Sequence, residues 1–177
     1  MEIQAREGRL CELVDGTLVE KDMATYQSRL AAILIYFMEL FLEDHDQGVT
    51  LAPDGFLRLF PGCVRAPDVS FISWRRMPTG EFPTDAIASL APDLAVEILS
   101  ENNTEEEIAR KLREYFQSSC KLAWIVDPDT RTVRVHTSPR KSILLTEADT
   151  LEGGRVLPGF SLPIRKWFQR ANRKGRK

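Results

Sequence analysis

Histidine and cysteine are scarce: His45 and His136 are the two histidines, and Cys11, Cys63 and Cys120 the three cysteines, of 177 residues. The cysteines are odd in number, widely spaced and form no Cys-x-x-Cys pair, which excludes a disulfide framework and a structural zinc site and suits a reducing cytosol. The histidines stand apart and read as surface residues. There is no Gly-x-Ser-x-Gly elbow and no Gly-x-x-x-x-Gly-Lys phosphate loop. Long hydrophobic runs are missing as well. The run beginning at Leu30 stops before Glu39, far short of a bilayer span, and the first seven residues lack the apolar core of a signal segment. A cytoplasmic protein without membrane contact is expected. Aromatic residues make up only 8%, which argues against the sugar-stacking groove a two-carboxylate glycosidase needs.

Charge of either sign is not in excess. The net charge of -2 gives no general attraction to polyanions, so any nucleic-acid contact requires a local basic patch. From Arg165 the chain carries Arg165, Lys166, Arg170, Arg173, Lys174, Arg176 and Lys177 with no acid among them. That segment reads as a basic tail, solvated or phosphate-gripping. With 43% apolar residues, residues 1–164 suffice for one domain with a sizeable core, followed by the tail at 165–177.

Leu10 to Val14 and Thr17 to Glu20 flank Asp15-Gly16, the signature of a tight hairpin. A helix follows, with Thr25 as its expected cap and Leu30, Ile33, Leu34, Phe37, Leu40 and Phe41 as its apolar stripe. Residues 48–51, 55–59 and 64–72 read as strands, and 73–93 as a long connection. Leu94 to Leu99 reads as a buried strand. Thr104 caps a second helix that has Glu105, Glu106 and Glu107 in its first turn and Ile108, Leu112, Tyr115 and Phe116 on one face. The strand 121–126 then completes a strand–helix–strand unit, which predicts a parallel pair with a right-handed crossover. Residues 132–136, 142–146 and 155–157 predict a closing meander. The class is mixed α/β: a central mixed sheet flanked by helices, with an N-terminal hairpin and a C-terminal β-meander.

Glu97 is the residue most out of place, because it interrupts the apolar run 94–99 and a buried carboxylate is costly without a cation or strong donor. Asp68 opens the neighbouring run Val69 to Ile72, so acids from two strands lying about 5 Å apart can share one divalent ion. Such a pair is the skeleton of a metal-dependent nuclease site. Asp93 is a poorer partner, being about 13 Å from Glu97 along the same strand at roughly 3.3 Å per residue. At about 100° per residue, Lys111 falls on the border of the second helix's buried stripe. Its ammonium can reach toward the two acids, or it can be an ordinary boundary lysine. Arg110 points to solvent. A structural alternative pairs Glu97 with Arg65 or Arg110. Arg58, Arg65, Arg75, Arg76 and the tail are candidate contacts to a nucleic-acid backbone.

Five ordered blocks carry a resemblance: Cys11 to Glu20, Ala66 to Phe71, Pro92 to Ser100, Lys111 with Tyr115, and Trp124 to Pro128, followed by Leu157-Pro158-Gly159-Phe160. Together they resemble the Uma family of restriction endonucleases. The resemblance implies the PD-(D/E)xK fold, Mg²⁺ as cofactor with Mn²⁺ as a substitute, and hydrolysis of DNA phosphodiesters. It implies Asp68 and Glu97 as metal-binding catalytic acids, and Lys111 as the catalytic lysine in place of the usual lysine two residues after the glutamate, where Leu99 stands. Glu20 is the accessory acid, and Gln27 stands where a histidine is frequent. A homodimer is expected, since enzymes that cut both strands often work in two-fold pairs. The rival expectation is a catalytically inactive nucleic-acid-binding or protein-interaction module on the same fold.

Overall fold

The computed structural model describes residues 10–21, 24–77 and 79–175. Asp15 and Gly16, with φ of 48° and 77°, form the tight turn between β1 (Cys11–Val14) and β2 (Thr17–Glu20). Positive φ at both positions is what a two-residue hairpin loop asks of an Asp-Gly pair. The first helix, α1 (Thr25–Leu42), starts one residue earlier than capping by Thr25 would allow. Ala24 takes the N-cap position, and no side chain caps the helix.

The predicted strand 64–72 is two strands in two sheets. Pro67 lacks the N–H that an uninterrupted ladder needs and restricts the residue before it, so the chain leaves one sheet after β5 (Cys63–Arg65) and joins another at β6 (Val69–Ser73). With β4 (Leu57–Phe60), the small sheet runs β2-β1-β5-β4.

The central sheet contains β3 (Gly48–Leu51), β6, β7 (Leu94–Ile98), β8 (Leu122–Asp127), β9 (Thr132–Ser138) and β10 (Lys141–Leu145), in the order β10-β9-β8-β7-β6-β3. Its one parallel pair is β7 with β8, joined through α2 (Glu105–Gln117) as the strand–helix–strand spacing predicts. Thr104 caps α2, its hydroxyl oxygen accepting from the Glu107 N–H at 3.2 Å.

Two C-terminal expectations are corrected. Residues 155–157 form no strand, because Leu157 is buried in a turn closed on the Gly153 carbonyl. The pairing instead joins β11 (Thr150–Glu152) to β12 (Ser161–Pro163). The basic segment folds as α3 (Ile164–Ala171), because Ile164, Trp167 and Phe168 recur at helical spacing and are fully buried. Trp167 donates its indole N–H to the Leu30 carbonyl at 3.0 Å. Lys166 and Arg170 lie over the rings of Phe37 and Tyr36. Arg176 and Lys177 lie outside the described residues.

Side-chain alternation divides the central sheet into two unlike faces. Val69 and Phe71 of β6, Leu94, Val96 and Ile98 of β7, and Trp124 of β8 pack with α1 and α3 in the main core. On the other face, Ala95 and Ala123 are register partners, and their small side chains let α2 lie close, with Tyr115 and Leu112 packed on them. Leu99 joins this second layer beside Ile108 and Phe116. Among the described residues no helix is long and apolar enough to cross a membrane.

Candidate active site

Asp68 is held at the start of β6 by two contacts to β7. Its N–H donates to the Val96 carbonyl at 2.9 Å, and its Oδ2 accepts from the Ile98 N–H at 2.7 Å. Glu97 lies between those two β7 residues. Since Val69 and Val96 enter the α1 core, alternation turns both Asp68 and Glu97 to the α2 face. The two acids are therefore neighbours on one face, buried to 6% and 4% exposure.

From α2, Lys111 reaches down to donate to Glu97 Oε2 at 2.8 Å, and the Tyr115 hydroxyl donates to Glu97 Oε1. Lys111 and Tyr115 are one helical turn apart, so a single face of α2 supplies both donors. Lys111 is buried and also lies 4.0 Å from Glu12 and 3.6 Å from Glu107. Below it, Arg65 bridges β5 to its surroundings, with Nη1 on Glu12 and Nη2 on Glu114, each at 2.6 Å. Glu12 also accepts from the Ala66 N–H at 2.9 Å. Lys21 enters from the end of β2, its ammonium 3.0 Å from Asp68 Oδ1 and bonded to the carbonyls of Pro53 and Ala66.

This arrangement separates the two acids electrostatically. Burial raises the Asp68 carboxyl above its ordinary value, and the neighbouring Glu97 charge raises it further, against the pull of Lys21 and the Ile98 N–H. Burial would raise Glu97 as well, but Lys111, Lys21 and the Tyr115 hydrogen bond outweigh it and hold Glu97 low. Burial opposes the charge on Lys111, yet Glu97 and Glu12 overcome it and hold the ammonium above its ordinary value. Dehydrating each buried ion costs several kcal/mol. Replacing buried ion pairs by apolar residues is often neutral or stabilising, so stability alone does not account for the cluster.

The predicted residues divide clearly. Asp68, Glu97 and Lys111 come together. Glu20 does not enter the buried cluster; it is exposed at the end of β2, on the rim of a cleft of about 460 Å³ bounded by the hairpin and the start of α2. Arg65 is buried and clamped by two acids, so it has no surface from which to grip a nucleic-acid backbone; it also does not pair with Glu97. Arg76 is tied to Asp93 at 3.0 Å and to the Ser119 carbonyl. Arg75 is exposed. The basic residues of α3 lie on the sheet face opposite the acids. Arg110, 36% exposed in its side chain, is not simply solvated, since it pairs with Glu114 and Asp15. Gln27 donates to the Leu99 carbonyl at 3.0 Å, tying α1 to the end of β7.

Four participants, Glu12, Glu114, Tyr115 and Lys21, are not among the predicted site residues. Glu12 had a signal, since alternation along β1 puts it on the inner face with Val14. Tyr115 had one too, four residues from Lys111. Lys21 had none, because it lies beyond the end of β2 and its burial depends on carbonyls from two distant loops.

Among the described residues no group of three or more His, Cys, Asp or Glu side chains could hold a metal ion. Asp68 and Glu97 offer a pair of hard carboxylates, and such oxygen donors suit Mg²⁺, which is typically held by one or two carboxylates plus water and substrate oxygens. The residues fit that ion.

A family model described as "Uma2: Putative restriction endonuclease" matches residues 1–165. No curated protein matches the chain. Among solved structures, the crystal structure of a "putative nuclease belonging to DUF820" from Anabaena variabilis aligns with a TM-score of 0.79 at 19% identity, covering 91% of this chain and 90% of that one. At that identity the likeness establishes the fold.

Proposed function

The chain belongs to the Uma2 family, described as putative restriction endonucleases, and from that premise we propose that it hydrolyses DNA phosphodiester bonds with Mg²⁺ at Asp68 and Glu97. One observation carries the reading: two buried acids from adjacent strands face the same way, with a buried lysine bonded to one of them at 2.8 Å. Asp68 and Glu97 would hold the ion, and Mn²⁺ would replace it. When bound, such an ion neutralises charge on the scissile phosphate and makes a nearby water more acidic.

The protein's own groups position and balance charge. Asp68 is fixed by the Ile98 N–H, and Glu97 by Tyr115 and Lys111. Because Lys111 stays protonated at neutral pH, it serves as a fixed cation that orients the nucleophile or offsets developing phosphate charge, and not as a general base. Arg75 is the surface candidate for a backbone contact. Cutting both strands asks for two such centres, and the reading includes a two-fold homodimer.

Incubation of supercoiled plasmid with the pure protein and Mg²⁺ or Mn²⁺ tests this. The expected result is nicking that falls about a hundredfold or more in Asp68→Asn and Glu97→Gln. Variants that cut like the parent contradict the assignment. A second reading, a nucleic-acid-binding or protein-interaction module that does not cleave, is favoured by the saturation of all four carboxylate oxygens with protein donors. Intact plasmid that nevertheless shifts on a gel supports a nucleic-acid-binding module.

A further inference from the structure

Asp68 has two carboxylate oxygens, and both are taken: Oδ2 by the Ile98 N–H at 2.7 Å and Oδ1 by the Lys21 ammonium at 3.0 Å. The Ile98 bond belongs to the junction of β6 and β7 and stays with the fold. Each oxygen keeps a second lone pair, but an ion seated on Oδ1 meets the Lys21 ammonium 3.0 Å from that atom as a like charge competing for it. We propose that Lys21 is a tethered counter-cation that occupies the ion's place on Asp68 and is displaced when the ion binds, so that it sets the metal affinity. The inference rests on the proposed metal site.

Charge balance supports an exchange over co-occupancy. The buried cluster holds four acids, Glu12, Asp68, Glu97 and Glu114, against the three cations Lys21, Arg65 and Lys111. Among the buried side chains alone, removing Lys21 leaves two positive charges missing, which is the charge of one divalent ion; keeping both leaves an excess cation among buried groups, which is costly. The lysine also has the chemistry of a placeholder. Its side chain is 4% exposed, and its ammonium is held by oxygens alone: one carboxylate and the carbonyls of Pro53 and Ala66. A compact point charge ringed by hard oxygens imitates a hydrated metal ion better than a planar guanidinium does. A destination exists, too. Lys21 lines the same cleft as Glu106 and Glu107, acids toward which the ammonium can swing at the surface.

Two measurements test the exchange. In calorimetry with Mn²⁺ alone, Lys21→Met should bind roughly tenfold more tightly than the parent, because no ammonium has to be displaced from Asp68 before the ion binds. In the unaltered protein, Mg²⁺ should raise the rate of Lys21 acylation by an amine-reactive ester several-fold, read by mass spectrometry. Lys121, whose side chain is 67% exposed, should react at the same rate with and without the ion. Equal or weaker Mn²⁺ binding in Lys21→Met, or Lys21 acylation unchanged by an ion that calorimetry shows to be bound, overturns the exchange and leaves the metal site standing. No Mn²⁺ uptake by parent or variant overturns both.

Discussion

Pro67-Asp68 and Pro92-Asp93 are the same dipeptide placed at the start of neighbouring strands, and the two aspartates end in opposite electrostatic states. Asp93 faces donors only: the Ser73 N–H at 3.0 Å and hydroxyl at 2.7 Å, Arg76 at 3.0 Å and Lys121 at 3.2 Å. Burial would raise its carboxyl, but the Ser73 hydrogen bonds and Arg76 hold it below the ordinary value. Asp68 faces another acid, and its carboxyl is raised. An acid whose needs are all met by donors is a structural joint, whereas an acid buried against a second acid is stable only with cations, and that requirement is the beginning of a metal site.

Activity should separate the two most sharply. Asp68→Asn should lose about a hundredfold or more of any plasmid cleavage, while Asp93→Asn, assayed per folded molecule, should keep it within a few-fold. Equal losses would erase the distinction.

The role of Asp93 as a joint should show in stability. Asp93→Ala leaves the Ser73 N–H and hydroxyl without their acceptor and should cost about 2 kcal/mol in urea unfolding, toward the lower end of the range for a broken charged cluster because Arg76 and Lys121 reach solvent.

The pH dependence should then run in opposite directions. Asp93, with its folded value below the ordinary 3.8, contributes stability that is present above 3.8 and is lost as pH falls through the folded value. Asp68, raised from 3.8, contributes stability that is present below 3.8 and is lost as pH rises through the raised value. Across urea midpoints from about pH 3 to about pH 7, the advantage of the parent over Asp93→Asn should shrink toward acid, and that over Asp68→Asn should shrink toward neutrality. The smallest effect belongs to Lys121→Ala, the exposed partner of Asp93, expected within about 0.5 kcal/mol of the parent in the same unfolding experiment.

Much of this was legible in the sequence because it is local. A glutamate inside an apolar strand, the edge position of Lys111 on the helix wheel, the Thr104 cap and the Asp-Gly turn each need only a few neighbouring residues. The long-range pairings were not legible. Arg65 looked like a surface base until β1 and α2 closed on it with Glu12 and Glu114, and Lys21 gained its role from Pro53 and Ala66. The opposite failure occurred at the C-terminus. Charge drew attention to Arg165 and Lys166, although Ile164, Trp167 and Phe168 carried the helical period that buries α3 against α1.

Titration of Mn²⁺ into the parent, Asp68→Asn and Asp93→Asn, followed by calorimetry, tests the central claim most directly. One ion per chain in the parent and in Asp93→Asn, with none in Asp68→Asn, is the result the two-acid site predicts. Undiminished uptake by Asp68→Asn would place the ion elsewhere and contradict it.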